Sequence, residues 1–213
     1  MNFETFIKSV SKIKNLNLPG ESSQFKMSPP FREHLIEENR EKMKYAKKAG
    51  VMALFYPDRY IETHLILILR KTYKGVHSAQ VGFPGGKYED QDPHLEYTAL
   101  RETEEEVGVP MHTVEVLKPM TPLYIPPSNF TVAPFVGITH QTPNFIKQDE
   151  EVEDLIEVKI TDFLSDANAI ATTVMTSYNL ELEVPAFKLN GHVVWGATAM
   201  MLSELKDLLK MTL

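Results

Sequence analysis

Apolar residues fall into two regimes along the chain, and the change comes near residue 50. Phe3, Phe6, Ile7 and Val10 recur at the spacing of one helical face. They predict a short amphipathic helix within residues 1–20 that stops near Pro19-Gly20. Residues 21–31, with Ser22-Ser23 and Pro29-Pro30, read as a loop, and residues 32–48 read as polar, helix-permissive surface. From Val51 onward the pattern is that of strands. Val51–Tyr56 and His64–Arg70 are leucine-rich or β-branched runs separated by Pro57-Asp58-Arg59, which suits two adjacent strands. Val114–Leu117, Thr131–Ile138 and Leu155–Ile160 have the same character, and prolines cut the region between residues 119 and 134 into short pieces. Met200, Met201, Leu205, Leu208 and Leu209 return to helical spacing within Ala197–Leu213. Strands and helices interleave without regular βαβ repetition. The expectation is an α+β chain, an α/β/α sandwich with a mixed β-sheet, occupying residues 46–213 behind a helical extension over residues 1–45.

Composition narrows the classes. The 213 residues are 43% hydrophobic and 24% charged, ordinary for a globular protein with one buried core. Its longest apolar candidate, Leu65–Leu69, is strand-sized, so no membrane span is expected. The lysines at 8, 12 and 14 are followed by no apolar run, which argues against a signal peptide. With no cysteine, disulfides and thiolate metal sites are excluded, and a cytoplasmic location suits the chain. The net charge of −7 is uneven: residues 1–50 hold ten basic against six acidic side chains, so the remainder is strongly acidic. An acidic body argues against nucleic acid as a partner, because phosphate contacts supply most of that affinity.

The chemistry concentrates between Gly85 and Gly108. Two glycines, Gly85 and Gly86, allow tight backbone geometry, and Asp92-Pro93 suits a helix opening with Asp as N-cap and Pro at the first position. A helix then runs through Leu95, Ala99, Leu100, Thr103 and Val107 until Gly108. Glu102, Glu105 and Glu106 fall within an arc of about 100° on it. Carboxylates so placed repel one another unless a solvated face or a hard cation such as Mg2+ or Mn2+ relieves them. Arg101 stands one turn before Glu105 and can pair with it. The seven histidines show no His-x-x-x-His spacing, so zinc is not indicated.

Gly86…Arg101-Glu102-x-x-Glu105-Glu106-x-Gly108-Val109 resembles the box of the Nudix hydrolases, in which a glycine-rich loop precedes a metal-binding helix. Asp92 takes the acidic place usually held by Glu, and Arg101 follows it nine residues later, one more than in the commonest form. The longer loop, Leu67-Ile68-Leu69-Arg70, Phe83-Pro84-Gly85-Gly86, Pro134-Phe135-Val136-Gly137 and Trp195-Gly196-Ala197-Thr198-Ala199 resemble the coenzyme A pyrophosphatase branch. Lys71, Gly75 and Ala79 depart from that branch's pattern, with charge supplied instead by Lys71, Lys74 and His77. The resemblance implies metal-dependent cleavage of a nucleoside diphosphate linkage, with coenzyme A giving 3′,5′-ADP and 4′-phosphopantetheine. Glu102 and Glu106 are then the principal ligands of Mg2+ or Mn2+, with Glu105 a further ligand or the general base, and Arg101 completes the catalytic set. Arg70, Lys71, Lys74, His77, Gly85 and Gly86 would bind substrate. Glu150, Glu151 and Glu153 are alternative bases outside the box, and Asp92 either caps the helix or joins the metal. A homodimer is common in the family resembled. The alternatives are cleavage of ADP-ribose or another nucleoside diphosphate, and a non-catalytic binding module of the same fold.

Overall fold

Eleven residues of alternating destination, Lys47–Pro57, form the strand around which the rest of the chain is arranged, as seen in a computed structural model that describes residues 1–71, 80–175 and 181–213. Before this strand come α1 (Phe3–Val10), α2 (Glu21–Gln24), α3 (Arg32–Glu38) and α4 (Arg40–Met43). The strand itself, β1, is followed by β2 (Thr63–Arg70), β3 (Val81–Gly82), β4 (Gly85–Lys87) and the helix α5 (Leu95–Val107). Then come β5 (Val114–Pro119), β6 (Leu123–Ile125), β7 (Phe130–Thr139), β8 (Val152–Lys159) and α6 (Ile160–Leu164). The chain closes with β9 (Ala169–Met175), β10 (Glu181–Leu189), β11 (His192–Trp195) and α7 (Gly196–Lys210).

β1 runs parallel to β7 from Lys47↔Phe130 to Phe55↔Ile138. On its other edge, its first half pairs antiparallel with β4 (Gly50↔Gly86) and its far end with β2 (Tyr56↔His64). β2 continues to β3 and β8, and β7 continues to β5 and β6. The sheet is therefore mixed, as the pattern predicts. Both of its faces are covered, which is why β1 and β2 are apolar throughout rather than alternating with polar residues. Val51, Ala53, Phe55, Leu65 and Leu67 join one core with α1 and α7, whereas Met52, Leu54, Tyr56, Ile66 and Ile68 join a second core with α5. The result is helix on sheet on helix. α5 crosses β1 so closely that a Cβ at Gly50 would run into the carbonyl of Leu95.

The amino-terminal segment is less peripheral than its polarity suggests. Phe3, Phe6, Val10 and Ile13 are buried in the core, and the Phe6 and Phe55 rings lie 4.9 Å apart. Residues 21–31, expected as a loop, contain α2, and residues 32–48, expected on the surface, bury Arg32 and Leu35. The fully buried Glu204 of α7 holds this segment in place, accepting from Gly20 N at 3.1 Å, Gln24 Nε2 at 3.0 Å and Thr121 Oγ1 at 2.6 Å. A further difference is the three-stranded sheet β9-β10-β11, which the hydrophobic pattern did not announce. Pro185 inside β10 and the small residues of β9 hide its alternation. Among the described residues no helix is long and apolar enough to cross a membrane.

Candidate active site

The loop Gly85–Gly86 and the inner face of α5 meet at the edge of β1. Gly85 has φ 144°, and a Cβ there would strike Gly50 O and the Cα of Val51, so the position requires glycine. Its N–H donates to Glu106 Oε2 at 2.7 Å, and its carbonyl accepts from Arg70 Nη2 at the end of β2. Arg70 Nη1 also lies 3.0 Å from Glu106 Oε1, an ion pair beside a carboxylate that is 1% exposed. That contact is poorly aligned, and Glu106 Oε1 accepts no hydrogen bond. At Gly86 the carboxylate of Glu102 lies against the backbone, in the space a Cβ would fill.

Electrostatics set the three box glutamates apart. Burial pushes the Glu106 carboxyl up to about 7; Arg70 and the Gly85 N–H oppose the rise, and the charges of Glu102 and Glu151 add to it. Burial also raises Glu102, against the pull of Arg101. Glu105 stands half-exposed at the rim, held by Arg101 Nη1 at 3.1 Å. Arg101 pairs in addition with Glu102 through Nη2 at 3.0 Å and with Asp92 through Nε at 3.0 Å.

Asp92 is not the helix cap, the first of the two roles expected of it. The helix cap is His94, whose Nδ1 accepts from Tyr97 N at 3.2 Å, and α5 begins at Leu95. Pro93 consequently lies before the helix. Asp92 is buried, accepts from Thr98 Oγ1 at 2.8 Å and Glu89 N at 3.0 Å, and binds Arg101 with both oxygens. Gly108 does end the helix, with φ 75° and its N–H on Glu104 O.

Among the described residues, no three His, Asp or Glu side chains already stand as a metal cage, because arginines occupy the glutamates. The donor chemistry nevertheless fits a hard divalent cation. The negative charge of Glu151 helps to raise both Glu102 and Glu106, the carboxylates are hard oxygen donors, and Glu106 Oε1 is buried without a donor.

Of the residues expected to bind substrate, Arg70, Gly85 and Gly86 are brought together. They line a cavity of about 730 Å³ with Glu102, Glu105 and Glu151. Lys71 does not line it; its backbone N–H donates to Glu151 O at 2.9 Å. Lys74 and His77 lie outside the described residues. All three acids around the start of β8 are exposed, and of them Glu151 lines the cavity while Glu150 and Glu153 do not. Lys87 and Arg32 line it too, and neither was singled out from sequence. The far end is apolar, walled by Phe31, Leu35, Ile125, Phe130, Met200 and Met201. These residues come from four separate segments, so no local motif marks them.

A mixed sheet between helices, with a glycine loop set against a glutamate-bearing helix, defines the Nudix class of fold. The chain belongs to the Nudix family: the model of the NUDIX domain matches residues 46–176. It is similar to the uncharacterized Nudix hydrolase NudL of Yersinia enterocolitica, 42% identical over 103 residues that take in 48% of this chain and 52% of that one. NudL of Yersinia pestis is 34% identical over 144 residues, 68% of this chain and 71% of the relative. The chain thus spans about half the length of the first relative. Two solved structures share the fold. RenU, a Nudix hydrolase from M. smegmatis, superposes with a TM-score of 0.54 at 14% identity, covering 78% of this chain and 87% of that one. A MutT/nudix family protein from Enterococcus faecalis gives 0.50 at 15% identity, covering 86% and 75%.

Proposed function

We propose that the chain is a Mg2+- or Mn2+-dependent diphosphatase that cuts coenzyme A or its derivatives to 3′,5′-ADP and 4′-phosphopantetheine. The observation that carries the reading is the division of one cavity into two ends. One end gathers Arg70, Lys87, Glu102 and Glu151 around the Gly85–Gly86 loop, with Glu106 buried behind it on the Gly85 N–H, and the other is apolar apart from Arg32. A diphosphate that carries a large arm with apolar faces matches that division, and the volume suits an elongated ligand.

Glu102 and Glu106 would hold the cation, with Glu105 at the rim as a third donor. When bound, the cation offsets charge on the diphosphate oxygens and makes a water more acidic. Arg70 and Lys87 bring positive charge to the phosphate end; Lys87 makes no ion pair among the described residues. Glu151 is the better-supported base, because it reaches the cavity without an arginine partner, whereas Glu105 is held by Arg101. It takes the proton of the attacking water, whose oxygen forms the new bond to phosphorus. The bridging oxygen leaves in line with the other phosphate. Arg101 acts as a positioning residue, holding Glu102 and Glu105 from a seat on Asp92.

The test is hydrolysis of coenzyme A, ADP-ribose and a dinucleotide polyphosphate, with and without Mg2+, reading the products. Coenzyme A should be cut fastest and only with metal. Faster cleavage of ADP-ribose overturns the coenzyme A assignment, and no cleavage of any of the three overturns catalysis in favour of a binding module.

A further inference from the structure

Arg32, the first residue of α3, is a buried cation that the diphosphate chemistry leaves unused. It is 8% exposed and lines the same cavity as Glu102 and Arg70. Its Nη2 donates to Tyr124 O at 2.6 Å, but Nε has no acceptor, and no carboxylate lies within ion-pair distance among the described residues. Glu21 acts on it only through space. Removing a guanidinium from water without a counter-charge costs several kcal/mol, a cost usually met by pairing. One hydrogen bond to a carbonyl does not meet it. The surroundings are no substitute, since Phe31, Leu35, Ile125 and Phe130 are apolar.

The sheet sets the distance from the reacting end. Gly86, against which Glu102 lies, is on β4; β4, β1, β7 and β6 are consecutive neighbours, and Arg32 is bonded to β6. Three strand spacings amount to about 14 Å. That span is crossed by a ligand bound at the glycine loop and reaching along the cavity floor.

The geometry points to Arg32 as the residue that recognises a phosphate monoester carried by the substrate away from the scissile diphosphate. A phosphate offers several oxygens to the donors the guanidinium has left and supplies the missing charge. The inference rests on the diphosphatase reading, under which the 3′-phosphate of coenzyme A is that group. Arg32 thereby becomes a specificity determinant contributed by the segment ahead of residues 46–176, the part matched by the family model.

The experiment compares kcat/KM for coenzyme A with that for 3′-dephospho-coenzyme A in the wild-type protein and in Arg32→Gln, with Mg2+ present. The preference for the 3′-phosphorylated substrate should fall about 100-fold in the variant, most of it in KM. An unchanged preference, with both substrates losing alike, overturns the proposal and leaves Arg32 a support for β6. Calorimetric binding of 3′,5′-ADP against 5′-AMP to the wild-type protein decides the matter if the variant does not fold. Tighter binding of 3′,5′-ADP, by about tenfold or more, supports the subsite, and equal binding removes it. If the wild-type protein hydrolyses neither diphosphate, the diphosphatase reading fails by itself, and the calorimetric arm still judges Arg32.

Discussion

Arg101 Nε lies 3.0 Å from Asp92 Oδ1, and this pair joins the loop after β4 to the working face of α5. Arg101 holds the Asp92 carboxyl at about 2, well under its ordinary 3.8. Since the folded value is the lower one, the native chain binds fewer protons than the unfolded chain in that window. The pair's contribution is complete above about pH 4 and is lost as pH falls towards 2, on the order of 2 kcal/mol. Asp92→Asn should remove this part of the acid-unfolding profile followed by circular dichroism. It should also lower turnover, because Arg101 loses the seat from which it holds Glu102 and Glu105.

The three box glutamates should not respond equally. Glu106→Gln keeps an acceptor for the Gly85 N–H but loses the buried charge, and metal-dependent turnover should fall about 100- to 1000-fold. Glu105→Gln, at the half-exposed rim, should cost less. Steady-state kinetics beside thermal melts separate a lost site from a lost fold.

Glu151→Gln should lower kcat far more than Glu150→Gln or Glu153→Gln, because of the three it alone reaches the cavity. Its effect should fall on kcat and not on the metal concentration needed for half-activation. Equal, small effects from all three variants would return the base role to Glu105.

Gly86→Ala puts a methyl where the Glu102 carboxylate lies, so Glu102 must move. The expected outcome is weaker metal activation, about tenfold or more, with a modest change in melting temperature. Gly85→Ala should be worse for stability, because φ 144° and the contact with β1 both resist a side chain.

Phe6→Ala tests how far the amino-terminal helix belongs to the core. Phe6 is fully buried against Phe55, so truncation should cost about 3–5 kcal/mol in denaturant unfolding. A loss under about 1 kcal/mol would make the segment a detachable extension.

Much of the site is legible because it is local. Glu102, Glu105 and Glu106 are set on one helix by its 3.6-residue period, and Gly85, Gly86 and Gly108 mark the turn before it and the stop after it. The alternation inside β1 and β2 is hidden by burial on both faces, yet their apolar length still announces strands. Asp92 shows where local reasoning ends. Asp-Pro is a sound helix opening, but Thr98, Glu89 and Arg101 together offered its carboxylate more donors than a helix end does. His94 became the cap instead.

The chain's own pattern thus determined the sheet, the flanking helices and a glutamate helix behind a glycine loop, since each depends on neighbours within a few residues. Tertiary packing decided which acid outside the box faces the cavity, that Asp92 seats Arg101, and that Arg32 is buried at the far end of the cleft. Those outcomes depend on β4, β1, β7 and β6 lying side by side and on Glu204 drawing residues 20–24 onto α7. Contacts between residues so far apart leave no period or spacing in the sequence from which to read them.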